Sequence, residues 1–234
     1  MEVHHHAHHG GKKNWKSYTW EFLMLFLAVF CGFLAEWRLE QMIENHREEV
    51  YIQSLVEDME ADVKQTSSLI NDISTRISLS DSLLAALSSG EVQTNSNKAH
   101  KLWLMTIGFP DFVQNDRTIQ QLKSSGALRI IRKKGVSDKI MEYDQAVRQL
   151  SVTQTNMNSI AANTTMFSQV FDFINLKQDS FPVPLTNSGK EMLNEAYGNR
   201  FFWRINLVGL RQRLSLLNKK GSEIKEFIRD QYDL

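Results

Sequence analysis

Residues 22–35 read FLMLFLAVFCGFLA, and this uncharged run near the start of the chain decides how the protein must be organised. As a helix it covers about 14 residues, or roughly 21 Å. A bilayer core about 30 Å thick needs about 20 residues, and at least about 17. Residues 18–20 and Trp37 supply aromatic ends of the kind that lie at membrane interfaces. The sequence therefore predicts a single transmembrane helix over residues 18–37, surrounded by membrane lipid.

A cleaved signal peptide is the alternative for this segment. Lys12, Lys13 and Lys16 would suit the basic lead-in of such a peptide. Cleavage after Ala35, however, would leave the bulky Phe33 at the third residue before the cut, where a small residue is needed. We therefore expect a retained anchor.

Charges on either side of the apolar run indicate its orientation, because Lys and Arg are enriched on the cytoplasmic side of a membrane. Lys12, Lys13 and Lys16 precede the run, against Arg38 and Arg47 closely behind it. This favours a cytoplasmic N-terminus. The side before the run has only about one more Lys or Arg than the side after it, so the reverse orientation stays open.

One face of the predicted anchor carries small residues. At helical spacing, this face contains Glu21, Leu25, Ala28, Gly32 and Ala35. Small side chains let transmembrane helices approach closely, which favours self-association or pairing with another membrane protein. Glu21 either reaches headgroup water or couples to ion movement, as intramembrane acids often do. We favour the first interpretation because Glu21 lies near the end of the span.

Composition restricts the function classes. Lys plus Arg and Asp plus Glu both number 27, so a net charge of zero gives no general attraction to nucleic acid. The single cysteine, Cys31, lies in the apolar run, which excludes an intramolecular disulfide framework and a multi-cysteine zinc site. Glycine-rich phosphate loops, nucleophile elbows and HExxH motifs are missing, so we do not expect an enzyme.

Residues 38–234 predict a water-exposed, all-α domain. No proline or glycine interrupts residues 39–87, which predicts a long helix continuing directly from the anchor. A loop over 175–188 separates two further helices, one at about 137–174 and one that follows the loop. Apolar residues at alternating three- and four-residue spacing give each helix one buried face. The expected inward residues are Val56, Met59, Val63, Ile70, Ile73 and Ile77, then Ile140, Tyr143, Val147, Leu150, Met157, Ile160, Phe167, Phe171 and Ile174, then Trp203, Leu207, Leu210, Leu214, Leu217, Ile224 and Ile228.

A short helical insert is predicted over residues 99–134. It comprises helices at 99–107, about 116–125 and 128–133, with a loop at Pro110 and a stop at Gly126. Its clustered apolar residues predict a compact cap. The whole pattern predicts an N-terminal transmembrane helix continuing into an elongated antiparallel bundle of three long helices. In the last of them, Gly221 takes an inward position and would permit a close helix crossing.

Histidines crowd a predicted flexible tail at residues 1–17. They are His4, His5, His6, His8 and His9. Neutral imidazoles suit Zn, Ni or Cu, and a flexible chain can wrap such an ion. The alternatives are a purification tag or a tail whose charge follows pH. No other cofactor is predicted, and the isolated His46 and His100 are interpreted as ordinary surface or interface histidines.

Charged clusters mark two other stretches. Arg129, Arg132, Lys133 and Lys134 either receive an anionic partner, such as phosphate or lipid headgroups, or form a solvated helix end that suits the helix dipole. The acidic stretch over residues 44–62 is interpreted as the wet face of the first long helix.

Two stretches resemble a family. They are HHHAHH at 4–9 with its lysine-rich link into WEFLMLFLAVFCGFLAE at 20–36, and IQQLKSSGALRIIRKK at 119–134 followed by DKIMEYD at 138–144. Together they resemble uncharacterised single-span membrane proteins of Bacteroidetes with an LKSSG-containing helical domain. The family has no assigned activity, so it transfers no functional residue. The resemblance implies native histidines and a bacterial inner-membrane protein with a periplasmic C-terminal domain.

These features favour a non-enzymatic, membrane-anchored scaffold, adaptor or sensory module that forms homo-oligomers or binds another membrane protein. Binding or sensing of Zn, Ni or Cu through the histidines is the alternative hypothesis. An ion-coupled subunit of a membrane complex, using Glu21, is a further one.

Overall fold

A computed structural model of the chain describes residues 14–94, 96–161, 165–172 and 184–234. In these residues the protein is all-α, as predicted, and Phe171 and Leu185 pair only as an isolated antiparallel bridge. The described helices are α1 (Trp15–Ser88), α2 (Glu91–Thr94), α3 (Ser96–Thr106), α4 (Arg117–Ser124), a 3₁₀ helix (Ala127–Ile130), α5 (Val136–Ala161), α6 (Thr165–Val170), α7 (Asn187–Glu191) and α8 (Leu193–Tyr232). The chain divides into two compact units, residues 1–50 and 51–234.

Helix α1 contains 74 residues and includes both the apolar run and the first predicted long helix. The expected continuity between them is therefore confirmed. The helix contains no proline, and its one glycine, Gly32, lies within the apolar run. Gly90 follows its end with φ 73°, a left-handed conformation that glycine adopts readily. By length and composition, α1 is a candidate membrane span near the N-terminus.

The main core of the second unit is built mostly by three helices: α1 beyond Tyr51, α5 and α8. Every inward residue predicted for α8 is buried, and most of those predicted for α1 and α5 are buried too. Ile160 is the exception on α5, because its side chain is 49% exposed. Ile174 lies outside the described residues. The three- and four-residue spacing therefore identifies most of this core.

Contacts between α1 and α8 follow opposite chain orders. Arg229 near the end of α8 pairs with Glu60, and Arg204 near its start pairs with Asp81. Between these pairs, the backbone at Gly221 approaches α1 closely. A Cβ atom there would lie 3.1 Å from Val63 Cγ2 and 3.2 Å from Tyr143 Cε2. The close crossing expected at Gly221 is confirmed.

A second, smaller core joins the end of α1 to α2, α3, α6 and the start of α8. Its large buried residues are Leu83, Leu87, Trp103, Phe167, Val170 and Phe171. The sequence does not separate this core from the main one, because both use the same helical spacing.

The insert differs from the predicted compact cap. Its apolar residues divide between the two cores, with Trp103 in the smaller one and Ile119, Leu122 and Ile131 in the main one. Met105 is exposed. The segment predicted as helix over 128–133 contains a short 3₁₀ helix, Ala127–Ile130, which follows Gly126 at φ 68°.

The second long helix is also shorter than predicted. Helix α5 begins at Val136 and is described up to Ala161, and α6 follows after residues 162–164, which lie outside the described residues. The described α6 ends at Val170, where backbone hydrogen bonds cross to the segment before α7: Thr186 N donates to Val170 O and Asp172 N to Pro184 O. At Asp172, the bond to Pro184 replaces the helical bond that the longer predicted helix would require there.

Candidate functional site

The predicted packing face of the anchor lies on α1. Glu21, Leu25, Ala28, Gly32 and Ala35 are all exposed. No atom lies within 4 Å of a Cβ built on Gly32, so a second helix could approach closely at this position. Pairing through this face stays a prediction.

The histidine cluster lies outside the described residues. Metal binding by His4, His5, His6, His8 and His9 therefore stays a prediction. In the described ranges, 14–94, 96–161, 165–172 and 184–234, no three His, Cys, Asp or Glu side chains are grouped to hold a metal ion.

The basic cluster lies at the turn between the 3₁₀ helix and α5. Arg129, Arg132, Lys133 and Lys134 are exposed. Lys133 Nζ lies 5.6 Å from the ring centroid of Tyr232 near the end of α8, a cation–π distance. The turn thus contacts the C-terminal end of the chain, while anion binding there stays a prediction.

Three acids on α1 correct the interpretation of residues 44–62 as a wet face. Glu48, Asp58 and Asp62 are 6%, 8% and 1% exposed. Asp62 Oδ1 accepts 2.8 Å hydrogen bonds from the backbone N and Nδ2 of Asn115, and its Oδ2 accepts one of 2.9 Å from the Tyr143 hydroxyl. Asp62 therefore ties α1 to α5 and to the loop before α4.

Asp58 holds the start of α4. Its Oδ2 accepts hydrogen bonds from the backbone N and the hydroxyl of Thr118, at 3.2 and 2.5 Å. A carboxylate is favourable there because the first N–H groups of a helix lack helical partners and carry partial positive charge. Asp116, the residue before the helix, makes no such side-chain bond. An acid from another helix thus supplies the cap.

Burial raises the pKa of Asp62, and hydrogen bonds from Asn115 and Tyr143 oppose that rise. The nearby Asp58 carboxylate raises it further. Burial, then the Asp62 charge, raise the pKa of Tyr143. Asp62 and Tyr143 are therefore held as a buried acceptor and donor, an arrangement that fixes positions.

Further acids on α5 hold ion pairs. The buried Asp144 pairs with Lys123 at 3.1 Å and with Arg148. On the surface, Glu142 accepts 2.8 Å hydrogen bonds from both Lys139 and Lys220. These two cations lower the pKa of Glu142 to about 2, the Lys139 hydrogen bond being the largest cause.

His100 corrects the interpretation of a surface histidine. It is 5% exposed in the smaller core, stacked on Phe167 at 5.5 Å and edge-on to Phe171 at 5.2 Å between ring centroids. Burial lowers its pKa. Arg200 lies over Trp103 at 4.7 Å, and burial lowers its pKa to about 10. The smaller core therefore holds an imidazole whose neutral form is favoured, and a half-buried guanidinium lies over one of its aromatic rings.

A groove of about 460 Å³ lies between α5 and α8. Leu150 and Leu217 line its apolar part, and Leu216 at its edge is 68% exposed. Arg213, Lys219, Lys220 and Glu223 line it as well. The groove offers apolar contact area with a mainly basic edge.

Sequence reasoning missed the buried acids, although one signal was available. Asp62 follows Met59 by three residues, so it falls on the apolar face of α1, where an acid needs partners. These partners lie far along the chain, at Asn115 and Tyr143. The described polar clusters hold helices together and cap their ends, and none of them forms an open pocket of reactive groups. The chain matches no family model, no curated protein and no solved structure in the comparisons with known proteins.

Proposed function

We propose that this chain is a non-enzymatic, membrane-anchored helical bundle that acts as a scaffold, adaptor or sensory module. In this proposal residues 18–37 span the membrane. The remainder forms an elongated antiparallel bundle of three long helices with a helical insert. The N-terminus lies in the cytoplasm and the bundle in the periplasm of a bacterium with two membranes.

The observation that carries the proposal is the difference within α1. Residues 22–35 expose large apolar side chains such as Phe22, Leu25 and Phe33, which are 67–69% exposed. An apolar helix surface that no other part of a chain covers is stable in lipid and costly in water. In the second unit, in contrast, the buried acids Asp58, Asp62 and Asp144 are engaged in internal contacts that position helices.

Crosslinking of the full chain in native membranes, followed by mass spectrometry, tests the proposal. We expect reproducible adducts with a second copy or with other membrane proteins. A Leu27→Arg, Phe30→Arg variant, which should not insert, is the matched control and should lose these adducts. Recovery of monomer alone from native membranes would contradict the proposal.

Metal binding is the second candidate, favoured by the five histidines at residues 4–9. Titration of the full chain with zinc, nickel and copper, compared with a deletion of residues 4–9, tests it. Equal affinity in the two proteins would remove this candidate. The ion-coupled alternative predicts that Glu21→Gln abolishes function while membrane insertion is kept.

A further inference from the structure

An exposed apolar stripe continues on α1 beyond the predicted membrane span. Leu39, Met42, Ile43 and Val50 are 45–69% exposed, and the exposed His46 lies between them. We call these five residues the juxtamembrane stripe. The same segment carries Arg38, Glu40, Glu44 and Arg47 on its other positions, and so many charges keep it out of the bilayer core. The stripe therefore presents apolar surface to water or to a partner.

The juxtamembrane stripe is in phase with the small-residue face of the anchor. From Glu21 through residues 25, 28, 32, 35, 39, 42 and 46, the spacing alternates between four and three residues. This is the seven-residue repeat that lets two helices pack along a continuous seam. From Leu39 a second run, Leu39, Ile43, His46 and Val50, follows at four-, three- and four-residue spacing, and its next positions, Gln53 and Glu57, are polar. The apolar seam thus has a defined end.

We infer that residues 39–50 pair in parallel and in register with the same residues of a second copy of this chain. The inference rests on the proposed membrane anchor. Copies inserted with one orientation carry each residue at the same depth, so an identical stripe always lies beside its own counterpart. His46 then provides a polar seam position, and such a position specifies register in coiled coils.

Charges on the flanks of the stripe are complementary in this arrangement. On a helical projection, Arg38 and Glu49 lie on one flank, and Glu36, Glu40 and Arg47 lie on the other. Two parallel helices meet with opposite flanks facing. Arg38 of one copy then faces the two glutamates of the other, and Glu49 faces Arg47. A different membrane-anchored protein that lacks this order of charges would not place opposite charges against these flanks.

Disulfide scanning in native membranes tests the inference on the full chain. In a Cys31→Ser background, single cysteines replace Leu39, Ile43, His46 or Val50, with Gln41 and Asn45 off the stripe as controls, Asn45 being exposed like the stripe residues. Mild oxidation should give a homodimer yield several-fold higher at the four stripe positions than at the two controls. Equal yields at all positions, or adducts only with other proteins, would overturn the inference.

A charge exchange gives an independent readout. In the His46→Cys background, Arg47→Glu places like charges opposite Glu49 and should lower the dimer yield several-fold. Adding Glu49→Arg restores opposite charges and should restore the yield. An unchanged yield in the single variant would contradict the facing flanks.

Resistance to alkaline carbonate extraction, measured on the same membranes, separates the two proposals. Extraction of the chain by carbonate would overturn the proposed membrane anchor. A chain that resists extraction but shows no preference for the stripe positions overturns only the paired stripe.

Discussion

Helix α1 is continuous, but its two parts, before and after residue 50, differ in whether their apolar side chains are exposed or buried. Before Val50, the large apolar residues are exposed all round the helix from Trp20 to Phe33. After Tyr51, they are confined to one face and buried against α5 and α8. A helix that is apolar on every side belongs in lipid or a large core, whereas one apolar stripe packs against neighbouring helices. The period of the apolar pattern, more than its amount, distinguishes the anchor from the core.

Polar residues also differ between the anchor and the second unit. An arginine introduced at the centre of the anchor would face lipid and should prevent insertion. In the second unit, buried charges such as Asp62 are satisfied by donors from other helices and should stabilise the fold. The following changes test each half of this comparison, from the largest effect to the smallest.

The double change Leu27→Arg with Phe30→Arg should abolish membrane association. Each arginine at the centre of a span costs about 3 kcal/mol, so the pair costs roughly 6 kcal/mol. Val113→Arg with Val152→Arg is the matched control, because both valines are exposed in the second unit. The control should stay within about 0.5 kcal/mol of the parent in stability and keep its membrane fraction. Carbonate extraction and immunoblotting measure the outcome.

Asp62→Ala should lower the free energy of unfolding by about 3 kcal/mol, because it leaves the buried Tyr143 hydroxyl and the part-buried donors of Asn115 without an acceptor. Asp62→Asn keeps one carbonyl acceptor and should cost only about 1 kcal/mol. Denaturant unfolding followed by circular dichroism in detergent gives both values. Equal losses in the two variants would show that the donors are not the cause.

Gly221→Ala should destabilise the second unit by about 1–2 kcal/mol, since the new methyl group presses on Val63 and on the Tyr143 ring. The Tyr143 ring cannot shift freely because its hydroxyl is bound to Asp62. Gly209→Ala, on the same helix with no atom within 4 Å of its Cβ, should instead stabilise by about 0.5–1 kcal/mol. The same unfolding measurement checks the opposite signs.

His100 should make stability depend on pH. Its folded pKa is lowered below the ordinary 6.5, so the unfolded chain binds the proton first as the pH falls. The stabilisation is therefore complete above 6.5 and is lost below it. The melting temperature should fall between about pH 7.5 and about pH 5.5, and this fall should be smaller in His100→Gln.

Regular spacing made much of this fold predictable. The seven inward residues of α8 and the close crossing at Gly221 follow from a three- and four-residue alternation that only a helix can bury on one side. The apolar run follows from its uninterrupted length. Neither needs information from distant parts of the chain.

Contacts between residues far apart in the sequence limited what could be predicted. Asp58 and Asp62 look like solvent-facing acids until Asn115, Thr118 and Tyr143 are brought beside them. The end of α6 at Val170 likewise depends on backbone bonds from Thr186, which local propensity does not contain. His100 is buried because Phe167 of α6 and Phe171, directly after that helix, pack against it.

Expression of residues 51–234 alone tests the central claim most directly, namely that the helix before Tyr51 contains the membrane anchor and that residues 51–234 form a self-contained fold. The account predicts a protein that stays in the supernatant after ultracentrifugation and is largely helical. It also predicts one cooperative thermal transition that Asp62→Ala lowers. Sedimentation with membranes, or a helical signal that melts without a cooperative transition, would contradict it.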